Sequence, residues 1–553
     1  MSSELEDFGR PRLALAVLSL VLFLTFLDNT IVSVALADIQ TRMHAGVTAL
    51  QWVVGGYALS FAGLMLVFGT LSDLFGRRRI MGFGIALFCA GSLLGALAPS
   101  VDVLIGARVI MGIGAAASEP GTLSMIRHIF PDRGDRAQAL GVWAAVSGLA
   151  LAMGPVIGGV LVALWSFRAV FVFNAVFGMV ALIGLYAVLP ENSDPVDRAL
   201  DVRGFVLGAA AIVAATFATI DGESAGYTAW FVVVLYVLSV GAATAFIVDQ
   251  RRAANPVLDV RYFRLPAFAG SNIIAFTAYF ATFAIFFFVP LYVVEVGGVD
   301  GYRVALVFLP LALAMILASA LTGRWVAASG PRGPMALGCL LAGVGVFLTD
   351  VRLTPQPNLG QIGWTLAMAG AGLGMVFVPV TSTVLTLVPA RRSGMAASAT
   401  NTSRELGAVA GVSILGAIVN SQLTVNLSHR LIALHIPAPI RALVINGVTT
   451  GQSASGIPAT PQVQALINRV EKPAFAAFKT GLDISLLLAA GLLVASAGLA
   501  LATVRHVGTS IEPEEDPAGS AAPDVGPQPT AGPDSAAAHS HPWASTLRGS
   551  KHR

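Results

Sequence analysis

The sequence predicts an all-α polytopic membrane protein, and three observations carry that prediction. Of 553 residues, 56% are hydrophobic and only 11% charged, with a mean hydropathy of +0.78. A soluble domain carries about 25% charged residues, so lipid must face most of this surface. Apolar runs long enough to cross a hydrocarbon core of about 30 Å recur about fourteen times. Finally, none of the three lysines, Lys472, Lys479 and Lys551, follows a glycine. No Gly-Lys-Ser/Thr phosphate loop can be written, which excludes an ATP-driven pump carrying its own nucleotide domain. A net charge of +3 is far short of a nucleic-acid-binding stripe. Cys89 and Cys339 sit in apolar runs and form no disulfide framework.

The expected spans lie near 12–37, 48–71, 79–98, 102–126, 137–163, 168–189, 204–220, 229–248, 267–294, 303–326, 334–350, 361–388, 395–420 and 481–504. The first is too long, and too closely followed by the second, to be a cleaved signal peptide. Arginine placement sets the orientation. With the N-terminus in the cytoplasm, the inner loops hold Arg77-Arg78-Arg79, Arg127, Arg133, Arg136, Arg198, Arg203, Arg251, Arg252, Arg261, Arg264, Arg332, Arg391 and Arg392. The outer loops hold little beyond Arg42, Arg168, Arg303 and Arg352. Both termini are then cytoplasmic and the chain is a multi-pass protein of the plasma membrane. The segment 421–480 reads as a long outer loop, whose Leu431–Ile445 and Val463–Phe478 stretches could lie as helices on the membrane surface. From about Ile511 the chain is rich in Pro, Ala, Gly, Ser and acid and is expected to be disordered. His539 and His541 in that tail are not expected to hold a metal.

An internal repeat organises the spans. The second connection reads Gly69-Thr-Leu-Ser-Asp73-Leu-Phe-Gly76-Arg77-Arg78-Arg79, and the tenth span runs into Gly323-Arg-Trp-Val-Ala327-Ala-Ser-Gly330-Pro-Arg332. Glycine, glycine and arginine keep their offsets while Ala327 replaces the aspartate. Parallel repeats related by an axis along the membrane normal are a transporter signature.

With these residues the chain resembles the major facilitator superfamily, specifically its 14-span drug:proton antiporter branch, over about residues 10–505. The Gly69–Arg79 loop resembles the family's Gly-x-Leu-Ala-Asp-x-x-Gly-Arg-Arg/Lys signature, with Ser72 where alanine is usual. Further matches are Leu27-Asp28 to Leu36 in span one and Arg108-Val-Ile-Met111-Gly112-Ile-Gly114 in span four, where glutamine is common at Met111. Gly154-Pro155-Val-Ile-Gly158-Gly159 in span five resembles the antiporter signature, and Arg404-Glu405-Leu-Gly407 and Pro290 to Pro310 resemble lesser patterns of the branch. The resemblance implies two six-helix bundles, 1–203 and 249–505, joined by two extra helices at 204–248, with the tail from 506 outside the fold. It also implies proton-coupled export of amphipathic, drug-like compounds by alternating access. The expected partners are a small-molecule substrate, protons and lipid, with no cofactor, and a monomer is expected.

Charges inside spans are costly and are functional candidates by default. Away from the span ends five are found: Asp28, Arg108, Glu119, Arg404 and Glu405. Asp28 and Arg108 fall at nearly one depth and could pair, either as a static packing pair or as a proton-exchange site. Glu119 lies eleven residues after Arg108, on nearly the same helix face, and precedes Pro120. It could extend a proton path, meet a cation, or merely face a vestibule. Arg404 and Glu405 point about 100° apart, so one is expected in the cavity and the other against a neighbouring helix. Gly69 and Gly76 permit a tight reversal, and Asp73 could accept from backbone donors at a helix start or pair with Arg77 or Arg78. The family analogy makes this an inner latch, while topology alone would also account for the arginines. Small residues around Pro155 allow close helix contact and a bend. Most of the Phe286-Phe287-Phe288 run is expected to face lipid.

The alternatives are a symporter or a dedicated exporter of one metabolite, siderophore or lipid. A polytopic membrane enzyme is disfavoured by the lack of a His-Glu-x-x-His helix or a Gly-x-Ser-x-Gly elbow. A membrane sensor is disfavoured because the tail carries no signalling domain.

Overall fold

A computed structural model of the chain describes residues 11–504, apart from 131, 192–200, 254–255, 257, 296–297, 355–356, 390–392, 434–440 and 442–460. The expected disordered tail with His539 and His541 lies outside the described residues. Fourteen α-helices and one short 3-10 helix make up what is described. The first six helices are α1 (Pro11–Met43), α2 (Val47–Phe75), α3 (Arg77–Leu97), α4 (Val101–Ile129), α5 (Arg133–Leu164) and α6 (Phe167–Val188). Then follow α7 (Val202–Ala225), α8 (Trp230–Arg252) and the 3-10 helix Val260–Arg264. The last six are α9 (Pro266–Glu295), α10 (Gly301–Ser329), α11 (Arg332–Arg352), α12 (Leu359–Thr386), α13 (Ser393–Ala433) and α14 (Pro461–Thr503). Among the described residues thirteen are long and apolar enough to cross a membrane; some side chains of the remaining helix, α2, lie outside the described set.

The helices outrun the apolar runs that announce them, because hydropathy reports membrane thickness while backbone hydrogen bonding continues into water. The largest difference is at 421–480, expected as a loop with surface-lying helices. There α13 continues to Ala433 and α14 begins at Pro461. At 1.5 Å per residue α13 is about 62 Å long, twice the hydrocarbon thickness. The flanks of the expected loop are therefore extensions of two spans, and its middle lies outside the described residues.

The packing map carries the repeat. Helix α1 packs on α5 and α6, α2 on α4, and α3 on α4 and α6. Eight helices later the same pairs recur: α9 on α13 and α14, α10 on α12, and α11 on α12 and α14. The two groups meet through α2 with α13, α5 with α10, and α1 with α9, as a two-fold axis along the membrane normal requires. Helices α7 and α8 form a hairpin, with α7 against α2 and α13. Of the thirteen spans, α8 is the least buried and faces outward almost throughout.

Helix α9 is the opposite case. Phe286, Phe287 and Phe288 are all buried, which overturns the expectation that most of them face lipid. Helix α9 is packed by α1, α12, α13 and α14, so it has protein on nearly every side.

The matched turns also agree. Gly76 ends α2 with φ +102° and Gly330 ends α10 with φ +82°, a region that only glycine enters freely. Two residues on, Arg78 donates to the Leu189 carbonyl at the end of α6, at 3.0 Å. In the second half Arg332 donates to the Leu501 carbonyl near the end of α14, at 2.7 Å. Each arginine thus serves the negative, carbonyl-bearing end of its neighbour. Gly69 is not part of the reversal: it lies inside α2, and a Cβ there would meet only Pro120 at 3.6 Å.

Candidate functional site between the helix bundles

Two polar layers cross the centre of the molecule, built from residues that no apolar span would hold without cause. The first lies within α1–α6. Asp28, fully buried on α1, accepts from Arg108 Nη1 of α4 at 2.5 Å and from Asn174 Nδ2 of α6 at 2.6 Å. Arg108 also donates through Nε to the Val53 carbonyl at 2.9 Å and lies over the Tyr57 ring, 4.3 Å from its centroid. Tyr57 in turn donates to the Thr25 carbonyl at 3.1 Å. Both carboxylate oxygens are used, and four helices are tied at one point.

The second layer lies between the halves, and α13 carries it. Asn401 and Glu405 are four apart on α13, one above the other on one face. Asn401 donates to Glu119 Oε1 of α4 at 2.8 Å, and Glu405 accepts through Oε1 from Asn29 Nδ2 of α1 at 3.1 Å. Each half supplies one acid and one amide. Arg404 donates to Asn401 Oδ1 at 3.1 Å and to Thr381 Oγ1 at 2.7 Å. With its oxygen so engaged, Asn401 turns its NH2 towards Glu119. Arg404 also lies 5.8 Å and 5.9 Å from the rings of Tyr279 and Phe377. Arg404 therefore serves its own half, while Glu405 faces the other half.

The two layers differ in how their charges are met. Glu119 and Glu405 are both buried, and neither forms an ion pair among the described residues. Glu119 Oε2 and Glu405 Oε2 have no hydrogen-bond partner. A cavity of about 20 Å³, lined by Leu123, Trp143, Thr381 and Asn401 among others, lies beside this layer. It holds about one water, not a drug-sized ligand, so the halves are closed on one another here.

The family model described as Major Facilitator Superfamily matches residues 18–412. The chain belongs to that family. It is 32% identical over 434 residues to the "Multidrug resistance protein Stp" of Mycobacterium tuberculosis (strain CDC 1551 / Oshkosh), covering 78% of this chain and 80% of that one. It is 30% identical over 395 residues to the "Methylenomycin A resistance protein" of Streptomyces coelicolor, covering 71% and 83%. Its fold matches a bacterial homolog of the human lysosomal transporter Spinster, solved inward-facing and unoccupied, with TM-score 0.61 and 18% identity over 90% of this chain and 98% of that one. The chain thus has the major facilitator fold and is a multi-pass membrane protein.

The family's span-five motif is used for close packing. A Cβ on Gly154 would collide with Thr30 Oγ1, and one on Gly158 would lie 2.5 Å from the Ile31 carbonyl oxygen. Gly159 faces the other half, where a Cβ would lie 2.7 Å from Gly301 O and Ala305 Cβ. Pro155 has no N–H for the Leu151 carbonyl one turn earlier. Thr30 supplies the missing donor, from Oγ1 at 2.9 Å. The α1–α5 contact is therefore both tight and satisfied.

At the inner turn, the side chain of Asp73 lies outside the described residues, so its pairing with Arg77 or Arg78 does too. The acid seen there is Glu191, just after α6. It accepts from the Arg78 backbone N–H at 3.1 Å and lies 3.8 Å from Arg78 Nε and 3.5 Å from Arg79 Nε. Glu191 also occupies the space beside Gly76, where a Cβ would lie 2.5 Å from its Oε1. His128, at the inner end of α4, has its pKa lowered by partial burial and by the Arg77 charge, which favours the neutral ring.

Sequence reasoning missed the amides Asn29, Asn174 and Asn401, because only charges were sought within spans. It also missed a third charged cluster. Lys479 of α14 donates to the Asp350 carboxylate and backbone carbonyl of α11, at 3.0 Å and 3.1 Å, and pairs with Asp483. The spans as they fold, Arg332–Arg352 and Ala476–Thr503, contain all three residues. The expected ends at 350 and 481 had left them at the margins.

Proposed function

We infer that this protein exports amphipathic, cationic or neutral drug-like compounds from the cytoplasm in exchange for protons, by alternating access in the plasma membrane. The carrying observation is the pair Glu119 and Glu405, buried where the halves meet, each with one unpartnered oxygen and no ion-pair partner among the described residues. A buried carboxylate with no cation in contact is costly to keep charged. Arg404 offsets part of that cost from a distance, and a proton or a substrate cation makes up the rest. Both would use the same oxygens. That competition is what couples the two flows in opposite directions, since loading one ligand requires release of the other.

The amide links give the coupling a structural consequence. Asn401 to Glu119 and Asn29 to Glu405 hold the halves together when the carboxylates accept fully. Protonation or cation binding weakens that acceptance, and the halves are then free to rock about the close α5–α10 contact. Asp28, with both oxygens committed inside one half, acts in this reading as the fixed point of that half. Glu191 and the Arg78–Arg79 pair close its inner end. The arginine distribution supports cytoplasmic termini, and the packing map supports bundles over 1–203 and 249–505 with 204–248 as the linking pair. The relatives' printed roles in multidrug and methylenomycin A resistance support export of several compounds.

The test is pH-gradient-driven movement of a panel of compounds in vesicles holding only this protein. Several chemically unrelated amphipathic cations should move against the proton flow. Movement of a single compound would replace this reading with a dedicated exporter, and movement along the proton flow would replace it with a symporter.

A further inference from the structure

The chain between α8 and α9 forms a basic pocket that the transport reading does not use. Its frame is rigid. Gln250 near the end of α8 donates to the Asp201 carboxylate and accepts from the Leu258 backbone N–H at 3.0 Å. Asp259 then caps the Arg261 N–H at 3.1 Å and starts the 3-10 helix Val260–Arg264. Tyr262 and Phe263 pack on Phe268, with ring centroids 5.8 Å and 5.1 Å away. In a 3-10 helix, side chains three apart eclipse, so Arg261 and Arg264 stand on one side. Arg251, in the last turn of α8, completes a concavity of about 360 Å³ lined by Arg251, Val260, Arg261, Phe263 and Arg264.

Three features define the ligand. The guanidinium groups of Arg251, Arg261 and Arg264 donate to no protein group among the described residues, and all three are exposed. The nearby acids, Asp201, Asp249 and Asp259, are fewer than the four arginines that include Arg252, and Asp201 is taken up by Gln250 and the Gly204 N–H. Below the arginines, on the most outward-facing span, Ile247 and Val248 are exposed, as are Phe263 and Leu265 on the connector. A charged rim above an apolar wall fits a molecule with an anionic head and a hydrocarbon tail, and a free phosphate would leave the wall unused.

We propose that Arg251, Arg261 and Arg264 hold the phosphate of an anionic phospholipid whose acyl chains lie along α8. The site would anchor the linking helices to the cytoplasmic leaflet. The test is native mass spectrometry of the full-length protein released from nanodiscs of mixed phosphatidylcholine and phosphatidylglycerol. The wild type should retain phosphatidylglycerol preferentially. R264Q should weaken retention about fivefold, the scale of about 1 kcal/mol per juxtamembrane cation, and R251Q/R261Q/R264Q should abolish the preference. R251K/R261K/R264K keeps the topogenic charge and should retain most of it, which guards against misfolding of the glutamine form. Equal retention by R264Q and wild type would overturn the proposal. Displacement of the lipid by millimolar inorganic phosphate would also overturn it, making the pocket a site for soluble anions.

Discussion

Asp28 and Glu405 are both carboxylates buried at the centre of one membrane protein, yet they are held in opposite ways. Asp28 has an arginine on one oxygen and an asparagine on the other, all within the first half. Glu405 has one amide from across the interface and an oxygen with nothing. A satisfied ion pair inside one rigid half has no reason to change during a cycle. An under-satisfied acid between two halves changes its surroundings whenever they move. The contrast separates residues that make the fold from residues that can sense its state.

Substitutions should split along that line. The largest effect is expected for Glu405→Gln and Glu119→Gln. Gradient-driven efflux from proteoliposomes should fall about 5–150-fold, the usual span of coupling free energies, while thermal stability in detergent holds. Asp28→Asn should do the reverse to stability, stranding a buried Arg108 at a cost of about 3–5 kcal/mol, read as a lower melting temperature. If Asp28→Asn instead folds normally and loses only coupling, the division drawn here is wrong. Thr30→Val leaves the Leu151 carbonyl beside Pro155 unpaired and should cost about 1–3 kcal/mol, measured in the same melt. The smallest effects belong to the helix-end arginines. Arg78→Gln and Arg332→Gln should each cost about 0.3–1 kcal/mol, with Arg78→Gln the larger because Glu191 loses a partner too.

What could be read in advance follows from what a bilayer penalises. Fourteen apolar runs and the five charges far from their ends are legible because lipid tolerates little else. The repeat is legible because Gly76 and Gly330 need a backbone that only glycine supplies freely. Which apolar residues face protein is not legible by the same logic, since lipid and protein interior are equally apolar. That is why Phe286, Phe287 and Phe288 were misassigned to lipid. Neutral amides hide for another reason: Asn29 and Asn401 carry no charge to mark them, although each joins the halves. Asp350, Lys479 and Asp483 were hidden by their position, where hydropathy ends before the helix does.

In the proposed cycle the acids between the halves, and not the Asp28–Arg108 pair, carry the proton. That assignment is tested most directly by efflux of a cationic dye from proteoliposomes holding Glu119→Gln/Glu405→Gln, with and without an imposed pH gradient. Downhill dye movement should persist while the gradient no longer accelerates it, if these acids carry the proton. Acceleration equal to that of the wild type would contradict the assignment.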